Sequence, residues 1–175
     1  MALLRADQNP VADRWTRIAD DQAVPADGAV ILGRARLEAE AEHLWHRPDG
    51  LGVELTSADP VEAIAEWLPH LQLVALRFPA FTDGRPFSAA RLLRSRYGFG
   101  GEIRAVGPVL ADQRQFLLQC GFDSFEIDDQ RILSSWQKAD VWMPLSYQPA
   151  YDETLGPRSL NVLMARHSRP AAAAA

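Results

Sequence analysis

Apolar positions along the chain fall into short runs at regular intervals. Ala29-Val30-Ile31-Leu32-Gly33, Leu51-Gly52-Val53-Glu54-Leu55, Leu73 to Phe78, Glu102 to Val106 and Ser124 to Ile127 each read as a β-strand, with starts at 29, 51, 73, 102 and 124. The intervening segments carry a helical period. This alternation predicts βα units and a parallel sheet. The first helix shows Leu37, Ala41, Leu44 and Trp45 on one face. The second begins Asp59-Pro60-Val61-Glu62, which has the form of an N-cap, a first-turn proline and a capping acid, with Val61, Ile64, Ala65 and Leu68 as its apolar face. Pro86 opens the third helix, Leu93 and Tyr97 mark its buried side, and Gly98 ends it. The fourth runs from Val109 to Cys120, with Val109, Leu110, Phe116, Leu117 and Cys120 as its stripe and Gly121 as its stop. Beyond it, Asp129 to Lys138 reads as a fifth helix, and Val141, Met143, Leu145 and Tyr147 alternate like an edge strand that holds Pro144 at an unpaired position.

These elements divide the chain into three parts. Residues 1–28 form an N-terminal extension packed on the core, with a short apolar patch at Trp15 and Ile18. Residues 29–148 form a single α/β domain, and 149–175 an irregular or disordered tail that ends in Pro170 and five alanines.

Four strands carry a charge between apolar neighbours: Glu54, Arg77, Arg104 and Glu126. Side chains alternate across a strand, so each of these has one apolar face and one small or charged face. A doubly wound sheet, covered on both sides, reads apolar on both faces. The pattern therefore points to helices on one side only. That is a parallel sheet of five to six strands forming part of a TIM-like (βα) barrel. The alternative is a doubly wound, flavodoxin-like three-layer sandwich. A partial barrel has to cover its inner face with a tail, a partner or a second copy, which makes a homodimer an expected state. The four charges either pair as a structural network, as buried charges must, or line a site for a polar ligand or a partner.

Candidate chemistry concentrates in the loop before the third helix. Thr82, Asp83 and Gly84 form a turn signal, and Arg85 with Ser88 and the free N–H groups of the helix start suit an oxyanion such as sulfite, sulfate or phosphate. The competing reading is a tight turn in which Asp83 caps backbone amides. Arg91 and Arg94, three apart, share a helix face that meets an acidic partner or is simply solvated. Gln113 interrupts the apolar stripe of the fourth helix, with Asp112 at its edge. A buried amide needs partners, so Gln113 is expected to bond the loop after the strand at 73 or at 102. Cys120 on the same stripe reads as inert packing.

Composition narrows the function classes. At 175 residues, 47% hydrophobic and 23% charged, the chain is one globular domain's worth. A net charge of −5 gives no global basic field for nucleic acid. No apolar run approaches the ~20 residues of a membrane helix, and the first residues lack signal-peptide order, so a cytoplasmic protein is expected. Cys120 is the single cysteine, which excludes an internal disulfide, an iron–sulfur cluster and a Cys-rich zinc site. His43, His46, His70 and His167 show no metal-ligand spacing, and no metal is expected. Lys138 is the one lysine, so local positive sites are planar, bidentate arginines. No phosphate-binding loop, dinucleotide fingerprint or nucleophile elbow is present, and no cofactor is evident.

Three stretches carry a family resemblance. Phe78-Pro79-x-Phe81-Thr82-Asp83-Gly84-Arg85-x-Phe87-Ser88-x-Ala90-Arg91-Leu92-Leu93-Arg94, Gly101-Glu102-x-Arg104-Ala105-x-Gly107-x-Val109-Leu110-x-Asp112-Gln113 and Cys120-Gly121-Phe122-Asp123-x-Phe125 resemble the core motifs of the bacterial family DUF934, over about residues 1–150. Ala80 and Pro108 depart from the family pattern, which favours a base and an acid there. The resemblance adds Gly107 to the candidates for a ligand or partner site. Cys120 and Asp123 join Glu54 and Glu126 as secondary candidates. Family members are typically encoded beside a sulfite reductase, and some carry an oxidoreductase label. The resemblance thus implies an accessory protein of assimilatory sulfite reduction. It would act on a sulfite reductase, its electron donor or another sulfate-assimilation protein. The alternatives are a small anion-binding enzyme or sensor using the 82–88 loop, and an oxidoreductase with an unrecognised cofactor.

Overall fold

The computed structural model describes residues 2–5, 10–44, 46–127, 133, 135 and 136. Eight strands appear: β1 (Ala2–Arg5), β2 (Pro10–Val11), β3 (Trp15–Arg17), β4 (Ala29–Gly33), β5 (Leu51–Leu55), β6 (Leu73–Arg77), β7 (Glu102–Val106) and β8 (Ser124–Ile127). Three α-helices, α1 (Arg34–Leu44), α2 (Arg85–Ser95) and α3 (Arg114–Cys120), lie between the later strands. The spatial order is β2-β1-β8-β7-β6-β5-β4-β3. From β3 to β8, neighbours in space are neighbours in sequence and pair in parallel. β1 joins β8 antiparallel, and β2 joins β1 in the same way. A doubly wound sheet requires a point where strand order reverses, and none exists in the run β3 to β8. The flavodoxin-like alternative is therefore excluded. The architecture is a mostly parallel α/β half-barrel of eight strands rather than five or six. Of the additional strands, β2 and β3 have only two and three residues, and four-residue β1 buries adjacent Leu3 and Leu4, so none displays a strand period in sequence.

The curl follows from connectivity. β2 and β3 are the two edges of the sheet, yet only residues 12–14 separate them. That stretch of chain spans at most about 15 Å. A flat eight-stranded sheet would hold its edges about 34 Å apart. The sheet must bend round to bring them together.

The outer face is apolar. Val53, Leu55, Val74, Leu76, Ile103 and Phe125 pack with Leu37 of α1, Ala90 and Leu93 of α2 and Leu117 of α3 in one buried cluster. The inner face holds a second, smaller apolar cluster of Trp15, Ala29, Ile31, Leu73, Ala75 and Val106, with the strand charges among it. Trp15 comes from the N-terminal segment, which thus covers part of the inner face from within the same chain.

Two helices differ from the sequence reading. Residues 61–70 form two 3-10 turns, Val61–Ile64 and Leu68–His70, in place of an α-helix. The reason lies in Asp59. Its carboxylate accepts the Thr56 N–H and hydroxyl at 2.8 and 2.6 Å and the Arg34 Nε at 2.6 Å, so it closes the preceding turn and leaves the next one uncapped. The fourth predicted helix splits into a 3-10 turn at Ala111–Gln113 followed by α3. Val109, Leu117 and Cys120 are buried as expected, whereas Leu110 and Phe116 are exposed. Leu110 precedes the turn in extended backbone, and Phe116 faces outward on α3. Gly121 ends α3 in the left-handed conformation. Trp45, most of the 129–138 segment and the alternating residues at 141–147 lie outside the described residues. Among the described residues, no helix is long and apolar enough to cross a membrane.

Candidate functional site

The strand charges meet on the concave face. Arg77 donates Nε to Glu54 Oε1 at 2.5 Å. The other Glu54 oxygen accepts Nε of Arg17 at 2.7 Å. Arg17 then places both terminal nitrogens on Glu126, at 2.8 and 2.5 Å. Burial alone would raise the Glu54 carboxyl, but hydrogen bonds from Arg77 and Arg17 outweigh it and hold the pKa below the ordinary value. Lower on the same face, buried Arg104 bonds Asp13 at 2.7 Å and Glu102 at 3.0 Å. Ser124 donates to Glu102 at 2.5 Å. Glu54, Arg77, Arg104 and Glu126 thus enter ion pairs, but largely through Arg17, Asp13 and Glu102, which sequence reasoning did not single out. Arg17 and Asp13 lie in or before a three-residue strand, where no periodic signal assigns a face. A cleft of about 670 Å³ opens above this network, at the carboxyl ends of β3, β4 and β5, beside Arg17, Asp20, Gly33, Arg34 and Asp59.

The second group of candidates gathers at the carboxyl ends of β6 and β7. Asp83 Oδ1 accepts the backbone N–H of Arg85 at 3.0 Å. The Arg85 guanidinium folds back on the same carboxylate, with Nη2 2.6 Å from Oδ2. That bonding holds the Asp83 pKa well below the usual carboxylate range. The start of α2 therefore already holds an anion, supplied by its own loop. Thr82, Gly84 and Ser88 are exposed. Gly107 has φ of +104°, and a Cβ there would lie 2.4 Å from the Phe78 carbonyl oxygen, so only glycine fits between these strand ends.

Gln113 ties the two loops. Its Nε2 donates to the Phe81 carbonyl at 2.8 Å, and its Oε1 accepts the Leu110 N–H at 3.1 Å. Asp112 beside it is exposed. Exposed apolar residues lie in the segments joined by these bonds. Among the described residues the exposed large apolar side chains are Phe81 (51%), Leu110 (42%) and Phe116 (54%). Two of them flank the Gln113 bonds, and the third lies one helical turn onward. Phe116 also ends an aromatic chain: its ring centroid is 4.8 Å from Phe87, which stacks edge-on to buried Phe78 at 5.1 Å.

Arg91 and Arg94 do not share an environment. Arg91 is exposed, but Arg94 is buried, and donates to the carbonyls of Phe99, Gly101 and Gly121 and to Asp123. It is therefore unavailable to a partner, because it locks the loops that lead into β7 and β8. Asp123 also accepts the Ile103 N–H at 2.9 Å. Cys120 is buried, and burial pushes its thiol pKa up despite the nearby Arg91 charge. Among the described residues, no three His, Cys, Asp or Glu side chains converge as metal ligands.

The profile of a family of bacterial proteins of unknown function, DUF934, matches residues 52–157. The chain belongs to this family. The match takes in β5 to β8 and the whole Gln113-centred rim. Most residues of the concave network are also inside it, but Asp13 and Arg17 precede it. No curated protein matches the chain.

Proposed function

We propose that this DUF934 protein is an accessory protein of assimilatory sulfite reduction that docks on a sulfite reductase and has no cofactor of its own. The observation that carries docking is that the exposed large apolar residues among those described, Phe81, Leu110 and Phe116, all lie in segments that Gln113 bonds or leads into. Exposed apolar side chains gathered on one rim mark interaction surfaces more than ligand pockets. Gln113 and Gly107 hold the two loops in a fixed relation, so the surface is preorganised. Arg91 on α2 and Asp112 beside Gln113 are exposed, as is Arg85, which is engaged with Asp83. This suits a partner patch that is apolar at its centre and mainly acidic at its border. The sulfite pathway itself rests on the setting in which family members are encoded.

The test is retention of sulfite reductase subunits by the tagged protein in cells growing on sulfate as sole sulfur source. Specific enrichment over an untagged control is expected. Absence of every sulfite reductase subunit from the retained material overturns the reading.

A further inference from the structure

α2 and α3 follow neighbouring parallel strands, pack side by side and carry no carboxylate on either helix. On α2, Phe87 and Arg91 are four residues apart and share a face, and on α3 Phe116 and Cys120 do the same. The two faces meet. The Phe87 and Phe116 rings lie 4.8 Å apart, and the Arg91 charge is felt at the Cys120 thiol. Phe87 and Cys120 are buried at this seam, whereas Phe116 and Arg91 are exposed beside it. The Arg91 carbonyl accepts the Ser95 hydroxyl at 2.7 Å, but its guanidinium has no partner among the described residues. The other arginines of these helices differ from it: Arg85 pairs with Asp83, Arg94 pairs with Asp123, and Arg114 is buried. In a chain of net charge −5, the seam thus sets an exposed aromatic ring and an unneutralised guanidinium one helical turn apart, about 5.4 Å along the helices.

We propose that this seam receives an amphipathic helix of the partner, with an apolar side chain against Phe116 and a carboxylate four residues away on Arg91. This rests on the docking reading and names the chemistry of its contact. Charge sets the occupant. A basic helix would meet Arg91 and find no carboxylate on α2 or α3, and a wholly apolar one would cover the guanidinium and leave it unpaired. Residues four apart on one helix face offer both groups at the spacing the seam has.

The probe is a lactam-bridged, alanine-rich helical peptide with one Leu and, four residues later, one Glu on its free face. It is titrated into isotope-labelled full-length protein and followed by amide resonances. Saturable shifts along α2 and α3 are expected, with a dissociation constant of about 1 mM. The same peptide with Gln for Glu should bind about fivefold more weakly, and with Ala for Leu about tenfold. Arg91→Gln should erase the preference for Glu over Gln, and Arg91→Glu should prefer a Lys peptide. No saturable shift with the Leu–Glu peptide overturns the proposal. So does equal binding of the Gln peptide, or a Glu preference that survives Arg91→Gln. Self-association of the protein that Arg91→Glu abolishes would assign the seam to a second copy and also overturn it. If a variant fails to fold, the three peptides on the wild-type protein decide alone. Sulfite reductase holoenzyme separates the two readings. Its failure to bind, with the peptide preferences intact, overturns the docking reading and not the seam's chemistry. Binding that Arg91→Gln leaves unchanged overturns the seam and not the docking.

Discussion

Arg17 of β3 forks onto Glu126 of β8, a residue 109 positions later, with bonds of 2.8 and 2.5 Å. The two strands stand at opposite ends of the parallel run. In a flat sheet five strand spacings would separate them by about 24 Å, several times the reach of an arginine. The pair therefore joins what the curl brings together. Burial works against the Arg17 charge, but hydrogen bonds to Glu126 and Glu54 outweigh it and raise its pKa above the ordinary arginine value.

Removing one partner should cost more than removing both. Glu126 is buried, and Arg17 is its hydrogen-bond partner among the described residues. Arg17→Met should lower unfolding stability by about 3–5 kcal/mol, and adding Glu126→Gln should restore part of it. Denaturant unfolding measures both. A single-variant cost under about 1 kcal/mol would mean the pair acts as an ordinary surface bridge.

Glu54 makes the fold acid-sensitive. Its folded pKa lies below its unfolded value. The unfolded state therefore takes up a proton first as pH falls, and stability drops with it. The contribution is complete above about pH 5 and disappears as pH falls through the folded pKa. Glu54→Gln should flatten this part of the stability–pH curve below about pH 5. An unchanged slope would remove Glu54 as its source.

How much of this was legible in sequence depended on element length and on who meets whom. β4 to β8 each carry four or five residues with a visible alternation, and their boundaries followed from it. The single charge on four of them correctly implied helices on one face only. β2 and β3 have two and three residues, and β1 buries the adjacent Leu3 and Leu4 instead of alternating, so the closing side of the sheet, Arg17 and Asp13 were invisible. The expected covers of the inner face were a tail, a partner or a second copy, and Trp15, Asp13 and Arg17 of the N-terminal segment supply part of that cover from within the chain. Gln113 stood out as an amide in an apolar stripe, and it does bond the loops after β6 and β7. Phe116 was misassigned to the core because its period fits α3 on either side of the true buried face. Arg94 looked like a surface charge, because the carbonyls that bind it come from loops distant in sequence.

Gly107 should tolerate no side chain. The positive φ and the approach to the Phe78 carbonyl act together. Gly107→Ala should destabilise the protein by about 3 kcal/mol. Thermal unfolding checks this, and a shift within error would show that the turn relaxes freely.

Cys120 should behave as packing. Buried and with its pKa pushed up, it should react with a thiol reagent at neutral pH at least about a hundredfold more slowly in the native than in the unfolded protein. Rapid native labelling would reopen a redox role for it.

The most direct test of the docking account is the affinity of the purified protein for purified sulfite reductase holoenzyme, with and without changes at the Gln113-centred rim. Saturable binding is predicted, weakened about tenfold or more by Phe81→Asp and by Phe116→Asp, both of which start from exposed positions. Glu40→Ala on α1, away from the rim, should leave it unchanged. No measurable binding, or equal affinity in all three variants, would contradict the account.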